Sequence, residues 1–414
     1  MSAIVHNNFR IDNANRLIAS FSTPTYIMLG KSSKWDTLDA VKEPDDSVDQ
    51  YRFTWRNALG GKKITPTDAK NCIPYHTWAT GTIYTQYDSY DTDLMQKVFY
   101  VVIPSTMAVY KCIFNNYGAP STTEPSGTST SIQTLADGYK WKYMYTISNV
   151  NMKFVNSEFV PVVTDSVVSA AAISGTIDSA VVVNGGSGYT VAPSVQIVGD
   201  GVGATATAVL LSGSVHRVSV SGGTGYTYAE AVVTGDGTGA SVRLNLSPIG
   251  GHGFDAVDEL GGFYVGITTE FVGTESGDIA VDNDFRSIAL MQNVHSYGTS
   301  VAFTGTSANA CHKIYHTAPT ASFVVDENLT IGTATGTIVF SDTDGVGQYL
   351  IVNNVVGTVP TSGVITSGAS VASVSSVIYP EVKHYSGKVM YIEQRQAVSR
   401  ASDQIEKVSL VLEY

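Results

Sequence analysis

Charge is scarce in this sequence. Asp, Glu, Lys and Arg make up only 14% of its 414 residues and leave a net charge of −12. An acidic balance with no basic run or basic face repels a phosphate backbone, which argues against nucleic acid as a partner. Cysteine is nearly missing too. Cys72, Cys112 and Cys311 are far apart and odd in number, so no disulfide framework follows and reduced thiols are the plain reading. No run approaches the roughly 18 apolar residues that suggest a membrane span. The opening residues lack a basic start followed by a long apolar stretch, so no signal peptide is expected. Together these absences predict a protein made and used without export and without a membrane.

Glycine (39), tyrosine (23), Val, Thr and Ser are what the chain has instead. That composition predicts a mainly β protein with many tight turns. Its length suggests about two to four domains. Asp12 is expected to cap a short helix with Ala14, Leu17, Ile18 and Phe21 at helical spacing, stopped by Pro24 and followed by a strand over 25–29. Pro44-Asp45-Asp46-Ser47 reads as a second helix start. Val48, Tyr51, Trp55 and Leu59 then line one side until Gly60-Gly61 ends the run. Strands are clearest at 99–103, 109–114 and 141–147, the last with Trp141 and Tyr143 on alternate positions. The polar stretch 115–131 reads as an exposed loop.

Residues 171–249 differ in kind. Asn184-Gly185-Gly186-Ser187-Gly188-Tyr189-Thr190 returns 37 positions later as Ser221-Gly222-Gly223-Thr224-Gly225-Tyr226-Thr227. Gly199-Asp200-Gly201 returns 36 later as Gly235-Asp236-Gly237. This is a tandem duplication. Each copy reads as strand, glycine turn carrying a tyrosine, strand, Gly-Asp-Gly turn, strand. A second passenger, 301–378, is rich in Val, Thr, Ser and Gly and reads as a compact barrel-like module.

The final stretch, 385–414, reads as two strands around a polar link. Val408, Leu410, Leu412 and Tyr414 share one face of the second, and Val411 adds an apolar position to the other, which predicts a strand covered on both faces. Here the chain resembles a known family. Ser386-Gly387, Tyr391, Arg395, Asp403-Gln404 and Glu406 before a closing aromatic resemble the C-terminal signature of gene product eight. That family comprises the dimeric baseplate wedge subunits of T-even-type, contractile-tailed bacteriophages. Phe9-Arg10 with Tyr26-Ile27-Met28-Leu29-Gly30-Lys31-Ser32 and Trp35, Asp137-Gly138-Tyr139-Lys140-Trp141-Lys142-Tyr143, and Asp284-Phe285-Arg286-Ser287-Ile288 agree in the same order. The pattern departs at Gln394, at Ile405 and in having no proline after Arg395.

The resemblance implies a β-sandwich core assembled from 1–170, 250–300 and 379–414, with 171–249 and 301–378 as two small inserted β domains and a few short helices. It implies a structural, non-enzymatic subunit, assembled in the host cytoplasm and residing in the virion tail. Its partners would be other wedge proteins and a second copy of itself, with the inserted modules reaching a fibre or a neighbouring wedge. Trp141, Tyr143, Arg286, Tyr385, Arg395, Arg400, Asp403 and Gln404 are the candidate interaction residues. The arginines are chosen because a guanidinium at a strand end clamps a carboxylate in two places; whether such contacts are internal or intermolecular stays open. The alternative is a carbohydrate-binding receptor or tail-fibre module, suggested by the aromatics and the Gly-Tyr repeat.

No site chemistry stands out. The Gly-Asp-Gly turns have no following helix and no Gly-Lys-Ser/Thr to close a phosphate loop, and one aspartate per turn is too few for a calcium repeat. Cys311, His312 and His316 have the types for half a zinc site but no nearby second pair. The loop Asp88-Ser89-Tyr90-Asp91-Thr92-Asp93 and the acids Asp255, Asp258, Glu259, Asp282 and Asp284 read as turn formers and solvated faces. No catalytic group, metal or cofactor is expected.

Overall fold

The computed structural model describes residues 4–35, 41–272, 283–400 and 405–414. The chain is mainly β, built from antiparallel sheets with a few short helices, as composition and alternation predict. No helix among the described residues is long and apolar enough to cross a membrane. Two compact units emerge. The first comprises the described parts of Met1–Arg16, Lys70–Gly266 and Val411–Tyr414, and the second those of Leu17–Ala69 and Ile267–Leu410. Of the expected core segments, 70–170 thus lies with the duplicated repeat, and 17–69 with the barrel described below.

In the first unit a four-stranded sheet runs in the order Tyr100–Ile103, Ala108–Phe114, Lys140–Thr146, Gln133–Thr134. Its three longer strands are buried on both faces, which is why the first two read as nearly continuous apolar runs, while the third keeps aromatics on alternate positions. Phe99, Val102, Val109, Met144, Ala256 and Leu260 belong to one core. Val101, Tyr110, Cys112, Trp141, Tyr143 and Val168 belong to another. Cross-strand register sets Tyr110 opposite Tyr143 and Lys111 opposite Lys142. The polar loop 115–131 is less free than its composition suggests. Asp137 pins it by accepting the backbone N–H groups of Thr122 (2.8 Å) and Thr123 (3.0 Å) and the Ser121 hydroxyl (3.1 Å).

The duplicated region has its own core, including Ile177, Tyr189, Val195, Val218, Tyr226 and Leu244. Ser194–Gly199 pairs with Ala229–Thr234, Ile177–Ser187 with Thr238–Leu246, and Thr205–Leu211 with Ser214–Ser221. Exchanging the two copies maps the first pair onto itself and swaps the other two, an approximate twofold. In the first copy Asn184 to Ser187 continue the strand Ile177–Ser187 and do not form the expected turn. Backbone crowding explains the glycines there: a Cβ at Gly185 would lie 2.7 Å from the Val215 carbonyl oxygen.

Each copy's Tyr-Thr clasps the other copy's Gly-Asp-Gly turn. Thr190 donates its N–H (3.0 Å) and its hydroxyl to Asp236, while Thr227 donates its N–H (2.9 Å) and its hydroxyl to Asp200. The Tyr189 ring lies on Gly237 and the Tyr226 ring on Gly201, so an added Cβ would sit 2.5 Å from the first ring and 2.4 Å from the second. Gly201→Ala and Gly237→Ala are therefore expected to cost about 1–3 kcal/mol each, as overpacking does. The approximate twofold makes the two costs similar, and chemical denaturation of each variant measures them. An unaffected Gly237→Ala chain would refute the clasp.

In the second unit a five-stranded sheet runs Ser307–Asn309, Ala58–Ile64, Thr25–Gly30, Asn283–Gln292, Lys388–Arg400. Its middle strand is buried throughout. The preceding helix is Asn7–Ser20, so Asp12 lies inside it and does not cap it. The next is Val48–Arg56, capped by Ser47, whose hydroxyl accepts the Gln50 N–H at 3.0 Å. Gly60-Gly61 does not end that helix: both glycines lie within the strand Ala58–Ile64. The cause is close approach, since a Cβ at Gly61 would lie 2.3 Å from Met28 Sδ and 2.5 Å from the Ile27 carbonyl oxygen.

Six strands close into a barrel in the order His312–His316, Gln348–Val356, Ala334–Thr343, Asn328–Ile331, Val364–Ser367, Ser370–Ile378. Ile314, Ile331, Ile338, Leu350, Val352 and Ile365 fill it. The last strand, Ile405–Glu413, corrects an expectation. Glu406, Val408 and Leu410 are buried while Ile405, Lys407 and Ser409 are exposed, so it is covered mainly on one face. Its end is nonetheless tied within the first unit. Arg10 stacks 3.6 Å over the Phe263 ring, pairs with Glu413 at 2.7 Å and donates to the Tyr414 carbonyl. The Tyr414 N–H reaches the Phe263 carbonyl at 3.2 Å.

Candidate functional site

The most concentrated ionisable chemistry in the first unit is a buried cluster around Glu259, which corrects the expectation that this acid is a turn former on a solvated face. Lys111 lies on the central strand Ala108–Phe114, flanked by apolar positions, and its ammonium is wholly buried. A charge there requires a partner. Glu259, at the end of the short helix Ala256–Glu259, supplies it at 2.7 Å. The other Glu259 oxygen accepts the Gly253 N–H at 2.7 Å. His252 bonds Asp178 at 2.7 Å through Nε2, and its Nδ1 lies 3.7 Å from Glu259. The Tyr87 ring completes the enclosure, with Lys111 4.2 Å from its centroid and His252 packed edge-on.

Burial alone would raise the Glu259 pKa, but Lys111 and His252 outweigh it and bring the carboxyl down to about 2. Both ring nitrogens of His252 face carboxylates, and no nucleophile among the described residues is hydrogen-bonded to them. The cluster is arranged to hold charge in place. A cavity of about 270 Å³ lies beside Lys111 and Glu259, with Asp88, Asp91 and Asp258 in its wall. Two of these acids are already engaged: Asp88 takes a two-pronged contact from Arg243 (2.8 and 2.6 Å), and Asp91 takes Lys97 (2.6 Å). The acidic loop 88–93 thus anchors the repeat's strand Thr238–Leu246 and is not a free solvated cluster.

The expected interaction residues divide into three groups. Trp141, Tyr143 and Arg286 are buried inside the chain, which corrects any reading of them as surface contacts. Trp141 stacks on Tyr139 at 5.7 Å, and Tyr143 packs edge-on against Tyr110. In the second unit the Arg286 guanidinium binds Asp284 through Nε (2.8 Å) and Nη2 (2.6 Å), Asp326 at 3.2 Å, and the Ser32 carbonyl. Tyr385 and Arg395 are at least partly exposed. Tyr385 is in a left-handed conformation (φ 61°), and Arg395 lies 3.6 Å from Glu393. Arg400 ends the strand Lys388–Arg400, while Asp403 and Gln404 fall outside the described residues.

The remaining candidates are quiet. Among the described residues no three His, Cys, Asp or Glu side chains converge in a metal-holding group. Cys311, His312 and His316 are buried, and among the described residues neither histidine is ion-paired with an acid. Burial, with His384 adding to it, lowers the His312 pKa to about 4. All three thiols are buried, and burial pushes those of Cys72 and Cys311 up to about 12, so none is a reactive thiolate. The Gly-Asp-Gly carboxylates are occupied by threonine donors; the Thr227 contacts hold Asp200 down at about 2. Comparison with family models gives no match, and neither does comparison with curated proteins.

Proposed function

We propose that this chain is a structural subunit of a phage tail baseplate wedge, working through protein–protein contact and carrying out no reaction. The observation that carries the reading is the C-terminal signature with three further patches in the same order along the sequence. The signature's turn has a structural reason. The Ser386 hydroxyl accepts the His295 N–H at 2.9 Å and donates to the Lys383 carbonyl at 2.5 Å. Gly387 has φ +68° and would place a Cβ 2.5 Å from the Gln292 carbonyl oxygen, so glycine is required there. The absence of reaction is supported by the use made of the ionisable groups: Lys111 is committed to Glu259 and His252 to Asp178 in the first unit, and Arg286 to Asp284 in the second.

An obligate assembly interface buries about 2,000 Å² or more. The full chain is therefore expected to be a dimer in light scattering and to co-purify stoichiometrically with co-expressed wedge proteins. A monomer that ignores those proteins and binds sugars on a glycan array overturns the proposal in favour of the receptor-binding alternative.

A further inference from the structure

Lys111 and Lys142 face each other across neighbouring strands, and both are buried. Among the described residues only one has a counter-ion. Lys111 pairs with Glu259, whereas among the described residues no carboxylate lies within ion-pair distance of Lys142, whose ammonium donates to the Thr130 carbonyl. An ammonium carries three donors. Burial lowers the Lys142 pKa, with Glu259 opposing from a distance. A buried lysine with donors to spare is costly unless something else satisfies it.

What adjoins it is a pocket of about 190 Å³. Lys142 and His252 are its buried residues, and Ile132 and Ile173, 40% and 57% exposed, stand at its mouth. Ser131 is also in the wall. The volume is below the roughly 300 Å³ at which drug-sized ligand sites begin, so the occupant is small. Its chemistry follows from the wall: one buried cation, the hydroxyl residues Thr130, Ser131 and Thr176, and two exposed isoleucines. His252 adds no competing charge contact, because its nitrogens face Asp178 and Glu259.

We propose that this pocket binds a small aliphatic carboxylate, its head taken by the Lys142 ammonium and its short tail lying between Ile132 and Ile173. A free short-chain acid and the C-terminal carboxylate of another polypeptide share this chemistry. The site is independent of the wedge reading and stands or falls apart from it.

Titration calorimetry on the full chain tests it, with butyrate as the free acid and N-acetylvaline as the chain-terminus mimic. Butylamine and inorganic phosphate serve as controls, the first with the wrong charge and the second with no tail. Saturable one-site binding of butyrate, N-acetylvaline or both is expected, with neither control binding comparably. Whichever acid binds more tightly identifies the source. Lys142→Met is expected to weaken binding by about 10- to 100-fold, the range for a hydrogen bond to a charged group. Should that variant fail to fold, Ile173→Glu decides, since it alters only an exposed position and brings a like charge to the mouth. Absence of saturation into the millimolar range, phosphate or butylamine binding as well as butyrate, or unchanged affinity in a folded variant overturns the proposal.

Discussion

Glu259→Ala is expected to destabilise the first unit by about 3–5 kcal/mol, the cost of leaving a buried charge without its partner. Lys111 would keep its burial and lose its carboxylate, the Gly253 N–H would lose its acceptor, and His252 would lose the charge facing its Nδ1. A second, independent signature is the pH dependence. The folded-state pKa of Glu259 is about 2, depressed from 4.5, so the stabilisation is fully present above about 4.5 and drains away as pH falls toward 2. A shift of that size corresponds to about 3 kcal/mol at neutral pH, in line with the mutational figure. Urea unfolding of wild type and variant, followed by tryptophan fluorescence, should show a gap that is wide at pH 7 and narrows steadily below pH 4.5. A gap that does not change with pH would mean the carboxylate works through packing alone, and no gap would mean the pair is dispensable. Glu259→Gln separates charge from shape, because the amide oxygen can still accept from Gly253.

How much of this was legible beforehand depended on the range of the interaction. The β class was readable because alternation and turn residues are local, and the strands expected at 25–29, 99–103, 109–114 and 141–147 are found within a residue of those places. The duplication was readable as a repeat. That the copies interlock was not, because the Thr190–Asp236 and Thr227–Asp200 contacts join positions 46 and 27 residues apart, and neither sequence copy alone contains a complete clasp. Gly60-Gly61 misled for the same reason. Glycine after a helical run is a local stop signal, but here its smallness answers a strand brought in from elsewhere. The tail strand was read as covered on both faces from a few apolar residues at its end, while the polar residues Lys407 and Ser409 marked the open face. At the site, Glu259 was named only as a solvated acid, and a lysine inside an apolar strand was the clue to a buried pair. Its partner Glu259 is 148 residues away, beyond any spacing rule. Arg286 was singled out correctly as a carboxylate clamp, yet the sequence did not distinguish an internal clamp from an external one.

That distinction has its own experiment. Arg286→Met is expected to destabilise the second unit by about 3–5 kcal/mol, again the cost of breaking a buried pair. Two buried cations, Arg286 and Lys31, stand between two carboxylates here. Lys31 lies 2.6 Å from Asp284 and 3.4 Å from Asp326, and the guanidinium touches both acids as well as the Ser32 carbonyl. Removing the guanidinium leaves Lys31 nearest to both carboxylates and takes a donor from a buried carbonyl. Asp284 loses the two contacts at 2.8 and 2.6 Å and keeps Lys31, whereas Asp326 loses one at 3.2 Å and keeps Lys31 and Lys34 (3.6 Å). Arg286→Lys should recover only part of the stability. An ammonium keeps the charge but cannot reproduce a planar fork that meets Asp284 through two nitrogens and the Ser32 carbonyl through the third. Burial would raise the Asp284 pKa, but Lys31 and Arg286 together hold it below its ordinary value. The wild-type advantage over Arg286→Met should therefore shrink in acid, as that carboxyl takes up its proton. If Arg286 instead served an external partner, Arg286→Met would unfold at the wild-type denaturant concentration and fail only in assembly. Measuring unfolding and co-purification on the same variant tells a residue that builds the subunit from one that joins it to its neighbours.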